Sequence, residues 1–396
     1  MFLDWNMIPA WKLRREVSRV AGQFRGLPST IAELPTRLKQ PARRAAYERD
    51  FDSLTRRDEG KVPFGPKLAI YLIYQPDGIA HSSLTALDWL VEHGYAPVVV
   101  ANSPVHQEDE RGLLARCSLL VQRPNFGYDF GGYKDGIRLI ARRGISPERV
   151  IIMNDSIWMP MAPNLMNRLE ERRDVDILGL IEDEKINHDH QGGQPSGLKH
   201  IESYFYMISG KAWRAPAFQN FWTDYKMTDS KPDTIKFGEI GFSRKMQQAG
   251  LVSGALTSRT LFLEHLAEQD DQFIETSLKY ASYGDKDLRR QGDILRHLTT
   301  GSLGWRDMAL DHVRRCINRR RFNAAFCYAN DQMLGTSFMK KNQEKIFSEM
   351  RLNYLRAIQD GQLTPPADTI LAEIIDIVKM QYPDFAKTSQ SFDVGH

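Results

Sequence analysis

The sequence has no long hydrophobic run and few cysteines. No apolar segment reaches the roughly 18–20 residues that a membrane-spanning helix needs, and the N-terminus lacks the apolar core and cleavage site of a signal peptide. Its three cysteines, Cys117, Cys316 and Cys327, have no metal-ligand spacing. Such cysteine usage favours a reducing compartment over a disulfide-bonded secreted fold. These absences predict a cytoplasmic protein.

A strong net charge is also absent. The chain has 53 Lys and Arg against 50 Asp and Glu, which disfavours a nucleic-acid partner. The charge is uneven, however: residues 1–65 hold 13 basic and 8 acidic side chains. Five arginines also fall within Arg314–Arg321. Both segments are consistent with peripheral contact with the anionic inner face of a membrane, or with solvated helix faces that bind nothing.

Two nucleotide-binding motifs are missing. No GxGxxG pattern follows the first apolar run, and no Gly-Lys-Ser/Thr is present in the glycine-rich segment 125–136. A dinucleotide oxidoreductase and a P-loop nucleotide hydrolase are therefore both disfavoured.

Short apolar runs alternate with amphipathic stretches in the first two thirds of the chain. The runs predict strands and the stretches between them predict helices, which together indicate a mostly parallel sheet flanked by helices. The predicted strands are 67–74, 97–102, 118–122 and 150–153, and the predicted helices are 82–94, 113–115 and 133–143. Beyond residue 265 the pattern is mainly helical, over 272–281, 286–298, 343–359 and 368–380, with Asp368 as an N-cap. We expect a basic helical extension (1–65), an α/β domain (66–265) and a helical C-terminal region (266–396).

Polar residues and glycines follow all four predicted strands. In a parallel sheet the carboxyl ends of the strands lie side by side, and ligands bind there. The sequence therefore predicts a binding site at this edge. Its candidate residues are Tyr74 and Asp77 after the first strand, Asn102 after the second, Asn125, Gly127, Asp129 and Lys134 after the third, and Asn154, Asp155 and Ser156 after the fourth.

Two carboxylates are candidates for chemistry. Asp155 follows an apolar strand, where its oxygens could hold Mg²⁺ or Mn²⁺ on a diphosphate, or could simply form an Asx turn. Glu239 lies near the start of a predicted helix that ends at Gly250. Its carboxylate is either a general base for an acceptor hydroxyl or a helix-capping group. The glycine-rich segment 125–136 has the alternative reading of a turn that begins a helix.

Histidines give weaker signals. His200 precedes a predicted strand that includes Tyr204, and is either a site residue or a structural histidine. His188 and His190 lie in a polar segment rich in Gly and Pro, where metal binding is an alternative to a plain loop. His265 is a weaker candidate for a site residue than His200.

Four motifs in this order resemble the rhamnan-synthesis F family of glycosyltransferases. The first motif is Asn125–Gly136, and the second is Val150–Ser156 with Pro160. The third is His200–Phe205, followed in the chain by Phe218 and Phe221–Trp222, and the fourth is the helix that carries Glu239. The resemblance covers roughly residues 67–265. It implies a GT-A-like fold and a nucleotide-sugar donor, with L-rhamnose from dTDP-rhamnose as the sugar that the family name suggests. The acceptor would be a cell-surface polysaccharide or a lipid-linked saccharide.

The resemblance also implies roles for the candidate residues. Tyr74, Asp77 and Asn102 would contact the nucleotide, and Glu239 would be the base of an inverting displacement. His200 and Tyr204 would contact acceptor or diphosphate. Ser156 stands where the wider family has its metal-binding acid, so Mg²⁺ or Mn²⁺ dependence is open, and Asp155 or a cationic side chain would take part of that work. The same substitution supports the alternative of a non-catalytic scaffold module in a polysaccharide-assembly complex.

Overall fold

Nine strands form the central sheet in a computed structural model that describes residues 39–186, 195–319 and 321–384. The strands of this sheet are β1 (Arg56–Glu59), β2 (Lys67–Ile73), β3 (Ala96–Ala101), β4 (Leu119–Gln122), β5 (Arg149–Asn154), β7 (Ile177–Ile186), β8 (Pro195–Ile201), β9 (Phe205–Ser209) and β10 (Ser253–Ser258). Two further strands, β6 (Ile157–Trp158) and β11 (Met339–Lys340), pair with each other.

The sheet is mostly parallel, as the sequence predicts. Its order is β1-β4-β3-β2-β5-β9-β7-β10, with β8 paired to β7. The strands β2, β3, β4 and β5 are parallel to one another. The strand β9 is antiparallel to both β5 and β7, whereas β10 runs parallel to β7. The carboxyl ends of β2, β3, β4 and β5 therefore meet at one edge.

Helices cover both faces of the sheet. The first, α1, spans 39–54. Those of the α/β part are α2 (His81–Glu92), α3 (Gln107–Leu114), α4 (Tyr128–Arg142), α5 (Leu165–Glu171), α6 (Gly210–Arg214), α7 (Pro216–Asp224), α8 (Lys231–Asp233) and α9 (Ile240–Gln248). Those that follow are α10 (Arg259–Glu268), α11 (Asp271–Lys279), α12 (Lys286–His297), α13 (Trp305–Arg319), α14 (Phe322–Ala325), α15 (Cys327–Leu334), α16 (Lys345–Gln359) and α17 (Asp368–Gln381).

The strand β2 shows why the predicted strands read as continuous apolar runs. Successive side chains of a strand point to opposite faces. Ala69, Tyr71 and Ile73 enter one hydrophobic core, and Leu68, Ile70 and Leu72 enter the other. Because both faces are covered, every position favours an apolar residue. Each fully buried Leu or Ile contributes about 1.5–3 kcal/mol.

The C-terminal helices share a core with the sheet. Trp305, Phe347 and Ile374 are fully buried in the same cluster as Tyr71. The region beyond residue 265 therefore has no separate core within the part of the chain that the structure describes. The division at residues 65 and 265 stays a prediction.

Several element limits differ from the sequence prediction. The helix expected at 133–143 begins at Tyr128, and the short helix expected at 113–115 is Gln107–Leu114. The predicted N-cap Asp368 is wrong, because Ala367 holds that position and Asp368 is the first helical residue. The basic stretch before residue 39 and the His188–His190 pair lie outside the described residues. Within the described residues, no helix has the length and apolarity to span a membrane.

Candidate functional site at the carboxyl edge of the sheet

The end of β5 is tied to the end of β2. The carboxylate Oδ2 of Asp155 accepts hydrogen bonds from the backbone N–H of Tyr74 and from Nε2 of Gln75, each at 2.9 Å. The amide of Asn154 has a fixed orientation, because its Oδ1 accepts bonds from the backbone N–H and hydroxyl of Ser156 at 3.1 and 2.6 Å. Its Nδ2 therefore donates to Oδ2 of Asp129 at 3.1 Å. Tyr74, Asp129, Asn154, Asp155 and Ser156 lie together, as predicted.

The glycine-rich loop places Asp129 at this edge. Gly127 has φ +85°, and a Cβ atom there would lie 3.0 Å from Cβ of Met227. A Cβ on Gly131 would lie 2.1 Å from the carbonyl oxygen of Phe126. These two positions accept only glycine without a shift of the backbone. The loop can then turn directly into α4, so that Asp129 falls in the first helical turn, where the dipole favours a carboxylate.

Three carboxylates concentrate negative charge here. Burial, together with the charges of Asp155 and Glu239, raises the pKa of Asp129 to about 6. Lys231 opposes this shift without cancelling it. Burial is the largest cause, so the raised pKa shows mainly that the Asp129 carboxylate is desolvated, and the two neighbouring carboxylates add to the shift.

Glu239 is held in place by two donors. It ends a π-helical turn, Thr234–Glu239, that leads into α9; such turns occur often at functional sites. Its Oε2 accepts a hydrogen bond from the backbone N–H of Ser203 at 2.8 Å, and its Oε1 lies 3.4 Å from Nε2 of His200. Although burial acts in the opposite direction, these contacts lower the pKa of Glu239 and keep it ionised. For His200, burial is likewise outweighed by Glu239, so its pKa is raised.

The segment between β8 and β9 joins Glu239 to the end of β5. The backbone N–H of Asn154 donates to the carbonyl of Tyr204 at 3.2 Å. The hydroxyl of Tyr133 donates to the carbonyl of Ser203 at 2.9 Å. The ring of Tyr204 is buried against Phe338, with a ring-centroid distance of 5.3 Å. The backbone of this segment, rather than the Tyr204 ring, therefore faces the site.

Other candidate residues lie apart from these carboxylates. The ammonium of Lys134 donates to the carbonyls of Thr223 and Tyr225 at 3.2 and 2.9 Å, which ties α4 to the end of α7. Oδ1 of Asn102 accepts a 2.6 Å bond from the buried Arg123. The remaining three candidates, Asp77, Asn125 and His265, are exposed: the first two on loops after β2 and β4, and the third on α10.

Residues 97–262 match the family model of rhamnan synthesis protein F. The match confirms the resemblance that the sequence motifs indicate. This segment, the rhamnan synthesis F segment, includes Asn102, Asp129, Asn154–Ser156, His200 and Glu239. Tyr74 and Gln75 precede it, and the helices α11–α17 follow it.

A relative of this chain is an uncharacterized protein, y4gN, from Sinorhizobium fredii (strain NBRC 101917 / NGR234). It is 34% identical over 251 residues, which are 62% of this chain and 61% of that protein. The match thus spans less than two thirds of the relative's length.

Solved structures give weaker similarity. A mannosyltransferase from Pyrobaculum calidifontis, in complex with GDP-Man and Mn²⁺, covers 90% of this chain and 98% of its own, at 10% identity and a TM-score of 0.29. A galactosyltransferase in complex with donor and acceptor sugar analogues covers 47% of this chain and 72% of its own, at 10% identity and a TM-score of 0.29. A 4-diphosphocytidyl-2C-methyl-D-erythritol synthase from Anaerococcus prevotii covers 49% and 87%, at 10% identity and a TM-score of 0.32. TM-scores this low establish no shared mechanism.

The oxygen atoms at the end of β5 fit a protein-bound divalent cation poorly. Ser156 supplies no carboxylate, and the Oδ1 atom of Asn154 is already used by two donors from Ser156. The Oδ2 atom of Asp155 accepts two further bonds. Among the described residues, no three His, Cys, Asp or Glu side chains converge in an arrangement that could hold a metal ion. In the rhamnan synthesis F segment, a cation would have Asp129 and Asp155 as its carboxylates and would depend on the ligand for its other partners.

Cationic residues beyond the rhamnan synthesis F segment also reach this edge. Lys340 binds Oε2 of Glu202 at 2.5 Å and lies 4.3 Å from the Tyr204 ring centroid, and Arg321 binds Oε1 of Glu202 at 3.0 Å. Lys341 follows in the chain and lies beside Ser156, whose carbonyl accepts its backbone N–H at 2.8 Å. No sequence motif marks these lysines, which are nearly two hundred residues away from β5 in the chain.

Proposed function

We propose that this protein is a glycosyltransferase that moves a sugar from a nucleotide-sugar donor to an acceptor hydroxyl. The observation that carries this proposal is the position of Glu239: an ionised carboxylate, fixed by Ser203 and His200 and electrostatically coupled to Asp129 at the carboxyl edge of the sheet. The match of residues 97–262 to rhamnan synthesis protein F supports the same activity.

In the proposed reaction, Glu239 is the general base. An acceptor hydroxyl loses its proton to a Glu239 carboxylate oxygen as its oxygen attacks the anomeric carbon of the donor. The bond from that carbon to the diphosphate oxygen breaks, and the diphosphate leaves with the electron pair. A single displacement of this kind inverts the configuration at the anomeric carbon. The hydrogen bonds to Glu239 hold one oxygen in a fixed direction, which favours a defined approach of the acceptor.

The finer assignments follow from the family. We propose L-rhamnose from dTDP-rhamnose as the transferred sugar and a cell-surface polysaccharide or lipid-linked saccharide as the acceptor. Tyr74, Asp77 and Asn102 lie at or after the ends of β2 and β3, on the side where the nucleotide would bind under this proposal.

The first experiment is a thermal-shift panel with dTDP, UDP and GDP, each with EDTA, Mg²⁺ or Mn²⁺. A ligand present at 100 times its dissociation constant stabilises the folded state by about 2.7 kcal/mol. Selective stabilisation by one nucleotide supports the donor site and identifies the donor class. If no nucleotide shifts the melting temperature, the non-catalytic scaffold, which Ser156 favours, becomes the better assignment. In that case Glu239 is a structural link between α9 and the β8–β9 segment.

Peripheral binding to the inner face of a membrane is a separate proposal. Arg314 and Arg315 are exposed on α13, although Arg315 pairs with Asp311 at 3.1 Å. Co-sedimentation with vesicles containing anionic lipid, compared with neutral vesicles, tests it. Binding that persists in the Arg314→Gln/Arg315→Gln variant would exclude these two arginines as the contact.

A further inference from the structure

A lysine lies beside the strand end where a metal-binding acid would be expected. The chain returns from the C-terminal region through β11, which pairs antiparallel with β6. The backbone N–H of Lys341 then donates to the carbonyl of Ser156 at 2.8 Å. This backbone contact fixes Lys341 one residue from Asp155, whatever its side chain does.

The ammonium of Lys341 points toward the start of α2, which follows β2. Its Nζ atom donates to the hydroxyl of Ser82 at 3.0 Å and lies 3.9 Å from Oε2 of Glu373. Its stem passes over Trp158, with Nζ 5.5 Å from the ring centroid. The side chain keeps 21% of its surface exposed. Burial lowers the pKa of its ammonium, and the charges of Glu373 and Asp155 oppose that shift. The end of β2, the end of β5 and this charge therefore adjoin one another.

The neighbouring carboxylates are already occupied by other donors. Glu373 accepts bonds from the backbone N–H and hydroxyl of Ser82 at 2.8 and 2.6 Å, and from the indole of Trp158 at 2.8 Å. Asp155 accepts bonds from Tyr74 and Gln75. Neither carboxylate is bound to the lysine at hydrogen-bond distance, so the ammonium keeps donor capacity for an anionic ligand that binds at the end of β5.

We infer that Lys341 binds the donor diphosphate at the end of β5 and supplies the positive charge that a divalent cation would otherwise provide. This inference rests on the proposed function and adds to it a residue outside the rhamnan synthesis F segment. As the bond from the anomeric carbon to the diphosphate oxygen breaks, negative charge grows on that oxygen. The Lys341 ammonium stabilises it without changing its own protonation, while the acceptor proton goes to Glu239.

The competing explanation is structural. Lys341 could serve only to join β11 to α2 through Ser82. That role predicts that mutation of Lys341 lowers the stability of the protein but leaves unchanged its preference for a nucleoside diphosphate over the same nucleoside without phosphates. Diphosphate binding by Lys341 predicts instead that a variant without the ammonium loses much of this preference.

Binding to the full chain distinguishes the two roles. Isothermal titration with dTDP, UDP and GDP, and with thymidine, uridine and guanosine, is done in EDTA and again in Mn²⁺. The test variant is Lys341→Met, which keeps the unbranched stem over Trp158 and removes the charge, and Lys341→Arg keeps the charge. The matched control is Lys345→Met, because Lys345 is exposed on α16 and lies 3.8 Å from Glu349.

In the wild type we expect one diphosphate to bind in EDTA more tightly than its nucleoside. Lys341→Met should weaken diphosphate binding by about 10- to 150-fold, which corresponds to the about 1.5–3 kcal/mol of a hydrogen bond to a charged group, and should leave nucleoside binding unchanged. Lys341→Arg and Lys345→Met should bind as the wild type does. Two outcomes overturn the inference but leave the proposed function intact. In the first, the wild type binds the diphosphate in Mn²⁺ but not in EDTA. In the second, Lys341→Met binds the diphosphate as tightly as the wild type does.

A wild type that binds none of the nucleotides in either buffer overturns both proposals. Circular dichroism and thermal unfolding without ligand establish that each variant is folded. If Lys341→Met does not fold, Lys341→Gln replaces it, and the comparison of EDTA with Mn²⁺ in the wild type still decides whether a metal ion is needed.

Discussion

The buried His200 and the half-buried Glu239 form an acid–base pair at the edge of the proposed active site. Their side chains come from β8 and from the π-helical turn before α9, and Nε2 of the histidine lies 3.4 Å from Oε1 of the glutamate. Their contact lowers the pKa of Glu239 and raises the pKa of His200, so it favours the ionised carboxylate and the protonated imidazole. The candidate base and the candidate contact to acceptor or diphosphate, which are separate predictions from the sequence, are thus neighbours in the structure.

The first prediction concerns Glu239 as the base. Glu239→Gln should lower the transfer rate by a factor on the order of 10²–10⁴, which is the usual contribution of a positioned general base. The amide still accepts the Ser203 hydrogen bond, so donor binding should change little. The measurement is the rate of sugar transfer from the donor that the thermal-shift panel identifies. The control is Glu268→Gln, because the Glu268 side chain is exposed on α10. Full activity in Glu239→Gln would assign the carboxylate a structural role.

The second prediction is that His200 stabilises the fold in a pH-dependent way. The folded pKa of His200 is above its ordinary 6.5 and that of Glu239 is below its ordinary 4.5. The histidine contribution is present below about pH 6.5 and is lost as the pH rises through the folded pKa, whereas the glutamate contribution is lost as the pH falls through its own. The pair therefore stabilises most between these values.

Urea unfolding at two pH values measures this effect. His200→Gln should cost on the order of 1 kcal/mol at pH 5.5 and clearly less at pH 9. His265→Gln is the matched control, because His265 also faces a glutamate, Glu268, at 3.7 Å, but both side chains are exposed. An equal loss at both pH values would show that the imidazole acts through packing and not through its charge.

The third prediction is that Asp129 destabilises the unliganded protein. Its folded pKa of about 6 lies above its ordinary 3.8, so the folded state binds the proton more tightly and stability falls as the pH rises between these values. Asp129→Asn should therefore raise the free energy of unfolding at pH 7.5 by on the order of 1 kcal/mol, and the gain should be clearly smaller at pH 4.5.

Thermal unfolding across this pH range checks the effect on stability. The exposed Asp224, at the end of α7, gives the control variant Asp224→Asn. A lower melting temperature for Asp129→Asn at pH 7.5 would contradict the prediction and would show that the bond from Asn154 outweighs the repulsion.

The fourth prediction concerns the buried pair Arg123 and Asp135. Both side chains are fully buried, with Nε of Arg123 2.6 Å from Oδ2 of Asp135, and Tyr47 donates to the same carboxylate oxygen at 2.6 Å. Arg123→Leu leaves an uncompensated charge and should cost about 3–5 kcal/mol in urea unfolding. Replacing both residues with leucine should recover part of that loss. If the double variant is no more stable than the single one, the other Arg123 hydrogen bonds, to Asn102 and Phe126, carry the effect.

The strands could be predicted from the sequence because burial on both faces leaves a local mark. The four predicted strands coincide with β2, β3, β4 and β5, and the polar residues after β5 do meet Asp129 and Tyr74. The sequence predicts the start of α4 five residues late. A glycine-rich segment reads as a loop, whereas in the structure Gly127 is the N-cap of α4, with φ +85°, and Gly131 and Gly132 lie within the helix.

The sequence around a residue does not predict the direction in which its side chain points. Lys134 and Asp129 lie on the same helix, and the carbonyls at the end of α7 together with the carboxylate of Glu48 hold the lysine away from the site. Asn102 follows a strand as a ligand-binding residue would, yet its amide oxygen is bound by Arg123.

The sequence by itself determined the α/β class, the parallel direction of the central strands and the concentration of polar groups at their carboxyl ends, because the hydrophobic pattern and the turn residues are properties of neighbouring positions. Only the tertiary structure decided which charges meet there. Glu239 acquires His200 from another element, and Lys341 reaches Ser156 across nearly two hundred residues through the pairing of β11 with β6. Electrostatic partners are set by distance in space, and the distance between chain segments is fixed by the packing of the whole core.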